Sequence, residues 1–307
     1  MEALALLSSK DARTLPCEAL SIKMKNILRI ALSIDIEDWF QIVSSVELRG
    51  PLIPIQNKTL EQFYLTLDFL DEIGCKATFF IQGELASTYP EIVRKTVQNG
   101  HEVASHGYKH YPLWEMTPRQ FREDLELSIK VLEDIGGMKV KGYRAPFFSL
   151  LSSTQWAWNI MAELGLKYSS SVSPSKFPSI NKPTKVANGR LVEFPLTCIE
   201  KFGRRWNISG GRFPRFLPLN ILHHHLKKLN EEGLPALFYF HNYELERNLK
   251  LNLRDFPLIK RCWAYLYVLA YNINLSGVPG KIRILSRRNV VFAPVSHVLE
   301  SLGMLTE

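Results

Sequence analysis

The chain has 307 residues, of which 46% are hydrophobic and 22% are charged. These ordinary globular values exclude a disordered protein, and the length is enough for one α/β barrel or two smaller domains. The formal net charge of +8 favours an anionic partner or surface, but the compact basic clusters Arg204-Arg205 and Arg287-Arg288 form no basic helix stripe with interleaved aromatic residues. Nucleic-acid binding is therefore not expected.

Cysteine spacing and the N-terminal sequence indicate a compartment. The four cysteines lie far apart, at Cys17, Cys75, Cys198 and Cys262. This spacing is typical of reduced thiols and predicts a cytoplasmic protein. The first residues lack a basic region before an apolar core, so no secretion signal is expected. No apolar run is long enough to predict a transmembrane helix.

The first predicted element ends in a cluster of carboxylates. The apolar run over residues 27–34 predicts a strand that is buried on both faces. Asp35, Glu37 and Asp38 follow it directly, and carboxylates at the end of a buried strand are costly unless they bind something. In a strand Asp35 and Glu37 share a face and Asp38 points away, although a bulge would bring Asp38 round.

Helices and strands alternate along the rest of the chain. Helical periodicity and end signals predict helices over 59–73, 89–99, 117–135, 154–164, 220–232, 257–272 and 295–303. Short apolar runs predict strands over 77–81, 101–105, 140–143, 191–196 and 235–240, and the composition predicts long loops over 170–190 and 203–218. This alternation predicts an α/β fold with a mostly parallel sheet covered by helices.

Two histidines four residues apart suggest a metal site. If the stretch is helical, His106 and His110 lie on one face and can meet one ion. With a carboxylate from elsewhere they suit zinc or a similar divalent ion. Asp35, Arg144 and His241 also lie just past the ends of predicted strands, where an α/β barrel carries its active-site groups. Their shared position strengthens the prediction of a metal site.

Four short motifs occur in order along the chain. They are Ser33-Ile-Asp-Ile-Glu-Asp38, His106-Gly-Tyr-Lys-His110, Arg144-Ala-Pro-Phe147 and Phe240-His241. Together they resemble the motifs of the polysaccharide deacetylases of the NodB-homology group, carbohydrate esterase family four, with Gly107 where Ser or Thr is usual. The opening motif is similar to the Asp-x-Glu-Asp-Trp/Tyr-Phe variant of a subgroup associated with bacterial exopolysaccharide gene sets.

The resemblance implies a fold and an activity. It implies one domain over residues 24–307, with a C-terminal family extension, in a distorted (β/α) barrel of fewer than eight strands; residues 1–23 are interpreted as a loosely ordered extension. It implies a hydrolase that removes acetyl groups from N-acetylated sugars with a divalent metal, most often zinc, with cobalt as an alternative. The subgroup implies exopolysaccharide or envelope glycan metabolism, on a polymer or a lipid-linked saccharide.

The resemblance also implies a metal-ligand set. His106 and His110 supply two ligands, and a carboxylate, either Glu37 or Asp38, supplies the third. Strand alternation favours Glu37 because it places this side chain beside Asp35.

The remaining motif residues receive catalytic or binding roles. Asp35 is expected to be the base that takes a proton from the activated water, and Arg144 is expected to orient Asp35. His241 is expected to be the acid that protonates the leaving nitrogen. Aromatic residues and the motif proline are candidates for substrate binding, although buried aromatic residues commonly belong to a core. These candidates are Tyr108, Trp114, Pro146, Phe147, Phe148 and Trp206.

Alternative functions stay open at this stage. The same fold could hydrolyse a small cyclic amide, or paired carboxylates could serve a glycosidase. Gly107 and the altered opening motif also fit a sugar-binding or assembly protein that has lost catalysis. The apolar, tyrosine-rich stretch 262–272 is interpreted as a buried helix, with an interfacial helix as the alternative. Together with the net charge it is compatible with peripheral contact with an anionic membrane. The sequence does not predict the oligomeric state.

Overall fold

The computed structural model describes residues 28–43, 55, 57–252, 254 and 256–305. The predicted extension over 1–23 lies outside these residues. Within them, helices and strands alternate along the chain, as the periodicity predicts. Among the described helices, none combines the length and apolarity that a membrane crossing requires.

One mostly parallel sheet forms the centre of the fold. The strands are β1 (Leu28–Ile36), β2 (Thr78–Ile81), β3 (Glu102–Ser105), β4 (Gly142–Tyr143), β5 (Tyr168–Ser169), β6 (Thr184–Val186), β7 (Leu191–Glu193), β8 (Cys198–Lys201), β9 (Arg204–Asn207), β10 (Ala236–His241) and β11 (Val290–Ala293). The described sheet runs in the order β10-β1-β2-β3-β4-β5-β7-β6, and β11 pairs with β1. Its pairings are parallel except for that of β6 with β7, and β8 and β9 form a separate antiparallel hairpin.

Helices cover this sheet. They are α1 (Trp39–Ile42), α2 (Asn57–Glu72), α3 (Gly83–Thr88), α4 (Pro90–Gln98), α5 (Pro118–Gly136), α6 (Trp156–Glu163), α7 (Arg212–Phe216), α8 (Leu219–Glu231), α9 (Leu258–Asn272), α10 (Gly277–Ser286) and α11 (Val295–Ser301). Short 3₁₀ turns occur at Leu113–Glu115, Pro146–Phe148, Ser152–Thr154 and Asn242–Leu245. A capping box between Thr117 and Gln120 starts α5, and Gly137 in the left-handed conformation ends it.

The α/β class and the mostly parallel sheet are confirmed. In β1 every residue except Arg29 is buried, as expected for a strand covered on both faces. In the described residues the sheet has nine strands, whereas the resemblance implies a barrel of fewer than eight. The difference comes from short additions, such as the antiparallel β6 and the strand β11 that pairs with β1.

Some local predictions are wrong. The segment 203–218 is not one loop, since it contains β9 and α7. The helix predicted over 89–99 is confirmed as α4, and the short helix α3 that precedes it was not predicted. The helix α10 was not predicted because Pro279 and Gly280 lie inside it, and both residue types normally disfavour a helix interior.

The sheet register brings several chain segments to one edge. Asp35 at the end of β1 pairs with His241 at the end of β10. Ser105 at the end of β3 pairs with Tyr143 at the end of β4. Because these strands are parallel, the residues that follow their carboxyl ends lie at the same edge of the sheet, where α/β folds carry their sites.

Candidate active site

A cleft lies at this edge of the sheet. Its walls come from the ends of β1 and β10, the segments after β3 and β4, and the helices α1 and α9. The lining residues are Asp35, Glu37, Trp39, Val43, His106, His110, Phe147, Phe148, Tyr239, His241, Tyr243 and Tyr271. The empty volume is about 630 Å³, part of it open to solvent.

Three buried side chains in the cleft could hold a metal ion. One ligand atom from each of Glu37, His106 and His110 lies within 4.8 Å of the other two. The Nε2 atoms of His110 and His106 lie 2.8 and 3.4 Å from Oε2 of Glu37. Two imidazoles and one carboxylate are a common ligand set for zinc and related ions.

The hydrogen bonding of His106 fits this use. Its Nδ1 lies 2.8 Å from the backbone oxygen of Arg144. Because a carbonyl oxygen can only accept, Nδ1 carries a hydrogen, and Nε2 is the ring nitrogen that faces the Glu37 carboxylate. The hydrogen bond at Nδ1 thus orients Nε2 toward the position that Glu37 and His110 share, as is usual for a histidine that binds a metal.

Glu37 is held as a carboxylate. Burial opposes its ionisation, but the imidazoles of His241, His110 and His106 lower the pKa of Glu37 well below its ordinary value. Its Oε1 accepts a hydrogen bond of 3.3 Å from the hydroxyl of Tyr243. The side chain is therefore charged and oriented for binding a cation.

The two histidines lie in a loop and not on a helix. Gly107 has a φ of 76° and His110 a φ of 60°, so the helical spacing considered from the sequence does not apply. The carboxylate of Asp124, on α5, accepts hydrogen bonds of 2.8 and 3.0 Å from the backbone N–H groups of Tyr108 and Lys109. The positive φ explains glycine at position 107, because other residues are strained there.

Asp38 faces away from the two histidines. Its Oδ1 accepts from the backbone N–H of Gln41 at 2.8 Å and its Oδ2 from the hydroxyl of Thr59 at 2.8 Å. It thus caps the N-terminus of α1. The interpretation of Asp38 as an alternative metal ligand does not agree with this position, because both of its oxygens already serve local structure.

Arg144 fixes the orientation of Asp35. Its Nη1 lies 2.6 Å from Oδ1 of Asp35, and both side chains are buried. The guanidinium also donates to the backbone oxygen and hydroxyl of Ser170, at 3.1 and 3.0 Å, and lies 4.0 Å from the ring centre of Phe80. With Oδ1 taken by Arg144, Oδ2 of Asp35 is the oxygen left to face the cleft.

His241 is oriented by a chain of charged groups. Its Nδ1 lies 2.8 Å from Oε1 of Glu244, and Oε2 of Glu244 lies 3.4 Å from the guanidinium of Arg215. The ring stacks on Tyr243 with 4.9 Å between centres. Burial alone would lower the pKa of His241, but the carboxylates of Glu37 and Glu244 raise it to about 9.

The aromatic candidates fall into two groups. Phe147 and Phe148 line the cleft, and the Phe147 ring lies 5.1 Å from that of His110. Tyr108 instead lines a separate surface groove, and Trp206 packs on Phe213 with 5.2 Å between ring centres. Pro146 is buried and Trp114 is exposed beside Lys176, and neither is among the residues that line the cleft.

Several cleft residues were missed from the sequence. Tyr243 and Tyr271 share a hydrogen bond of 2.8 Å, and Trp39 packs against Tyr271 with 5.6 Å between ring centres. The position of Tyr243, two residues after His241, could have indicated it. Tyr271 comes from a distant helix, and no spacing in the sequence relates it to the other residues.

Two family models match consecutive parts of the chain. Residues 60–169 match a model described as polysaccharide deacetylase, and residues 170–299 match a domain of unknown function, DUF3473. The boundary between them falls inside the sheet, since Ser169 of β5 pairs with Glu193 of β7. The cleft takes His106 and His110 from the first part and His241 from the second.

Curated relatives match parts of the chain. A peptidoglycan-N-acetylglucosamine deacetylase of Bacillus cereus is 32% identical over 92 residues, which are 30% of this chain and 34% of the relative. A chitooligosaccharide deacetylase of Azorhizobium caulinodans is 29% identical over 154 residues, 47% of this chain and 72% of the relative. The chain therefore spans about a third of the length of the first of these relatives.

Solved structures share the fold. A crystal structure described as a putative polysaccharide deacetylase from Mycobacterium smegmatis covers 92% of this chain and 93% of its own, with a TM-score of 0.62 and 20% sequence identity. At this identity the comparison supports the architecture alone.

Proposed function

Since the chain belongs to the polysaccharide deacetylase family, we propose that it removes N-acetyl groups from N-acetylhexosamine units of a poly- or oligosaccharide. The observation that carries this proposal is the position of Glu37, His106 and His110 in one cleft with Asp35 and His241. Relatives named for peptidoglycan and chitooligosaccharides support an acetylated glycan as the substrate.

We propose that Glu37, His106 and His110 hold a divalent ion, with zinc as the first choice and cobalt as an alternative. When bound, such an ion would lower the pKa of a bound water to about 7 and polarise a carbonyl oxygen. The mixed nitrogen and oxygen donors, the hydrogen bond that orients the ring of His106 and the ionised state of Glu37 support this assignment.

Asp35 is the proposed base. Its Oδ1 is paired with Arg144 at 2.6 Å, so the proton of the attacking water would be taken at Oδ2. Arg144 cannot act as an acid itself, because a guanidinium keeps its proton. Its proposed part is to hold the carboxylate still and ionised at the floor of the cleft.

His241 is the proposed acid. The carboxylate of Glu244 accepts a hydrogen bond of 2.8 Å from Nδ1 of His241. This leaves Nε2 of His241 to face the cleft and donate a proton to the departing nitrogen. An amine is a poor leaving group without that proton, so the acid matters most for amide substrates. Phe147 and Phe148 provide apolar walls for a sugar ring.

The biological setting proposed is exopolysaccharide or envelope glycan metabolism in the cytoplasm, on a polymer or a lipid-linked saccharide. The wide spacing of the cysteines supports a reducing compartment. In the described residues Cys75, Cys198 and Cys262 are free thiols.

Acetate release tests the proposed activity. The purified chain, supplied with zinc or cobalt, should release acetate from N-acetylglucosamine oligomers, and Asp35→Asn should lower the rate by about 10²–10⁴-fold. His106→Ala should lose the bound metal in an elemental analysis. Metal-loaded protein that releases no acetate would support a binding protein without catalysis, and new reducing ends would indicate a glycosidase.

A further inference from the structure

The outer face of α9 is apolar and exposed. Ile259, Trp263, Leu266 and Ile273 are 87%, 75%, 57% and 58% exposed. Their spacing of four, three and seven residues places them on one side of the helix and its end. Because α9 has 15 residues, this face extends over roughly 22 Å.

The opposite face of α9 is packed into the protein. Ala264 and Tyr271 are buried, and Tyr271 contacts Trp39 and Tyr243 at the cleft. The helix is thus anchored by its inner side, and most of the surface of its outer side chains is exposed. A contiguous apolar surface of this kind on a soluble domain marks an interaction site.

The positive charge of the chain is concentrated in the stretch of sequence that contains this helix. Residues 247–288 contain nine Lys or Arg and a single acidic residue. The net charge of this segment therefore equals the formal charge of the whole chain, +8. The rest of the chain is therefore formally neutral. A surface that combines apolar residues with this charge is complementary to a partner that offers both acyl chains and anionic groups.

The described cations lie at both ends of the helix. Arg247 and Lys250 are exposed, in a segment tied to the helix end by hydrogen bonds of 2.7 and 2.9 Å between Leu249 and Asn272. At the other end Arg261 donates to the backbone oxygen of Arg254 at 3.3 Å. Cations thus flank the apolar face.

We propose that the outer face of α9 docks onto an anionic lipid surface, with the helix lying in the plane of the headgroups. Fifteen residues are fewer than the roughly 20 that cross a bilayer, but they suit an interfacial helix. Tryptophan and tyrosine side chains such as Trp263 and Tyr265 are typical of that boundary, because their rings are apolar and carry a polar group.

Docking would bring the cleft to the membrane. Tyr271 on the inner face of α9 lines the cleft and bonds to Tyr243, whose hydroxyl bonds to Glu37 at 3.3 Å. One helix therefore separates the lipid surface from the proposed metal ligands. If the proposed deacetylase activity holds, this position favours saccharides attached to lipid; the docking itself does not depend on that activity.

Co-sedimentation with vesicles tests the proposal. The full chain should sediment with phosphatidylglycerol/phosphatidylcholine vesicles, bind phosphatidylcholine vesicles far more weakly, and be released by high salt. Trp263→Glu and Leu266→Glu should each weaken binding by at least about tenfold. Lys250→Gln and Arg254→Gln should each weaken it by about fivefold, the effect of one cation near an anionic surface.

A matched control is Leu127→Glu on α5. Leu127 is 43% exposed and belongs to another helix, so this variant should bind vesicles like the wild type. Circular dichroism and thermal melting identify any variant that fails to fold. For a conservative check, Trp263→Phe should keep most binding but lose much of the fluorescence quenching by brominated lipids.

Three results would overturn the proposal. The first is wild-type protein that stays in the supernatant with anionic vesicles. The second is an equal loss of binding in Leu127→Glu and Trp263→Glu. The third is a dimer in sedimentation velocity that Trp263→Glu dissociates without any vesicle binding, because the face would then be an interface between copies of the chain.

Discussion

Two walls of the cleft differ in how their side chains are held. The metal wall, formed by His106, His110 and the preceding strand end, is positioned by the backbone: a carbonyl accepts from His106, and Asp124 holds the loop through two N–H groups. The acid wall, formed by His241 and its partners, is positioned by the side chains of Glu244 and Arg215. The metal wall is therefore held at its backbone atoms, whereas the chain of buried charges behind His241 requires the side chain of each member.

Glu37 and Asp38 give the largest test of this comparison. Loss of a residue that only supports a metal ligand costs up to roughly 100-fold in metal affinity or activity. Glu37→Gln changes a proposed ligand itself, so it should reduce both by more than that. Asp38→Ala should keep the metal and lose about 1 kcal/mol of stability, because it removes a helix cap. Metal titration and thermal melting of both variants measure the difference. Equal loss of metal in the two variants would contradict the assignment.

The acid wall can be separated from the metal wall by the choice of substrate. His241→Asn should lower the rate on an N-acetyl sugar by about 10²–10⁴-fold, but have little effect on p-nitrophenyl acetate, whose leaving group needs no proton. His106→Ala should reduce the rates on both substrates. A His241 variant that is equally impaired on the ester would place His241 in substrate or metal binding instead.

Glu244 and Arg215 test the chain of charges behind His241. Glu244→Gln should reduce the amide rate by about 10–100-fold and shift the alkaline limb of its pH profile, since the carboxylate favours protonated His241. Unchanged pH dependence in a folded, less active variant would mean that Glu244 serves structure only.

His101 provides an imidazole outside both walls. Burial lowers the pKa of His101 from 6.5 to about 4, and its Nδ1 accepts from the backbone N–H of Ala77 at 3.3 Å. The folded state thus favours the neutral ring. The stabilisation that the neutral ring of His101 gives to the folded state is fully present above pH 6.5. It is lost as the pH falls toward 4, which lowers the free energy of unfolding by at most about 3 kcal/mol. In denaturation experiments, the free energy of unfolding of His101→Asn should fall less between pH 7 and pH 4 than that of the wild type.

Gly107 gives the smallest expected effect. Gly107→Ser restores the usual family residue, but φ is 76° and the added Cβ would lie 3.1 Å from Oδ2 of Asp124. We therefore expect a loss of about 1 kcal/mol without a gain in activity. The melting temperature and acetate release measure the two effects, and a more stable or more active variant would contradict the geometric explanation.

The sequence predicts the shared strand edge because hydrophobic runs end directly before polar residues. Alternation along β1 placed Glu37 beside Asp35, and the described side chains have that arrangement; their catalytic roles stay predictions. Tyr271 could not be found, because periodicity identifies α9 as a helix but does not reveal which aromatic residue reaches the cleft. Trp206 and Tyr108 show the same limit, because neither lies in a periodic stretch of the sequence and the direction of each side chain depends on the fold.

The position of β1 has a consequence for folding during synthesis. This early strand pairs with β10, and the hydroxyl of Ser33 donates to the backbone oxygen of Phe238, 205 residues further along. A nascent chain that has emerged only to residue 169 therefore carries a hydrophobic strand without its later neighbours. Contacts of such sequence separation slow folding and prolong the exposure of strand edges, so chaperone engagement is expected until the last third of the chain has left the ribosome.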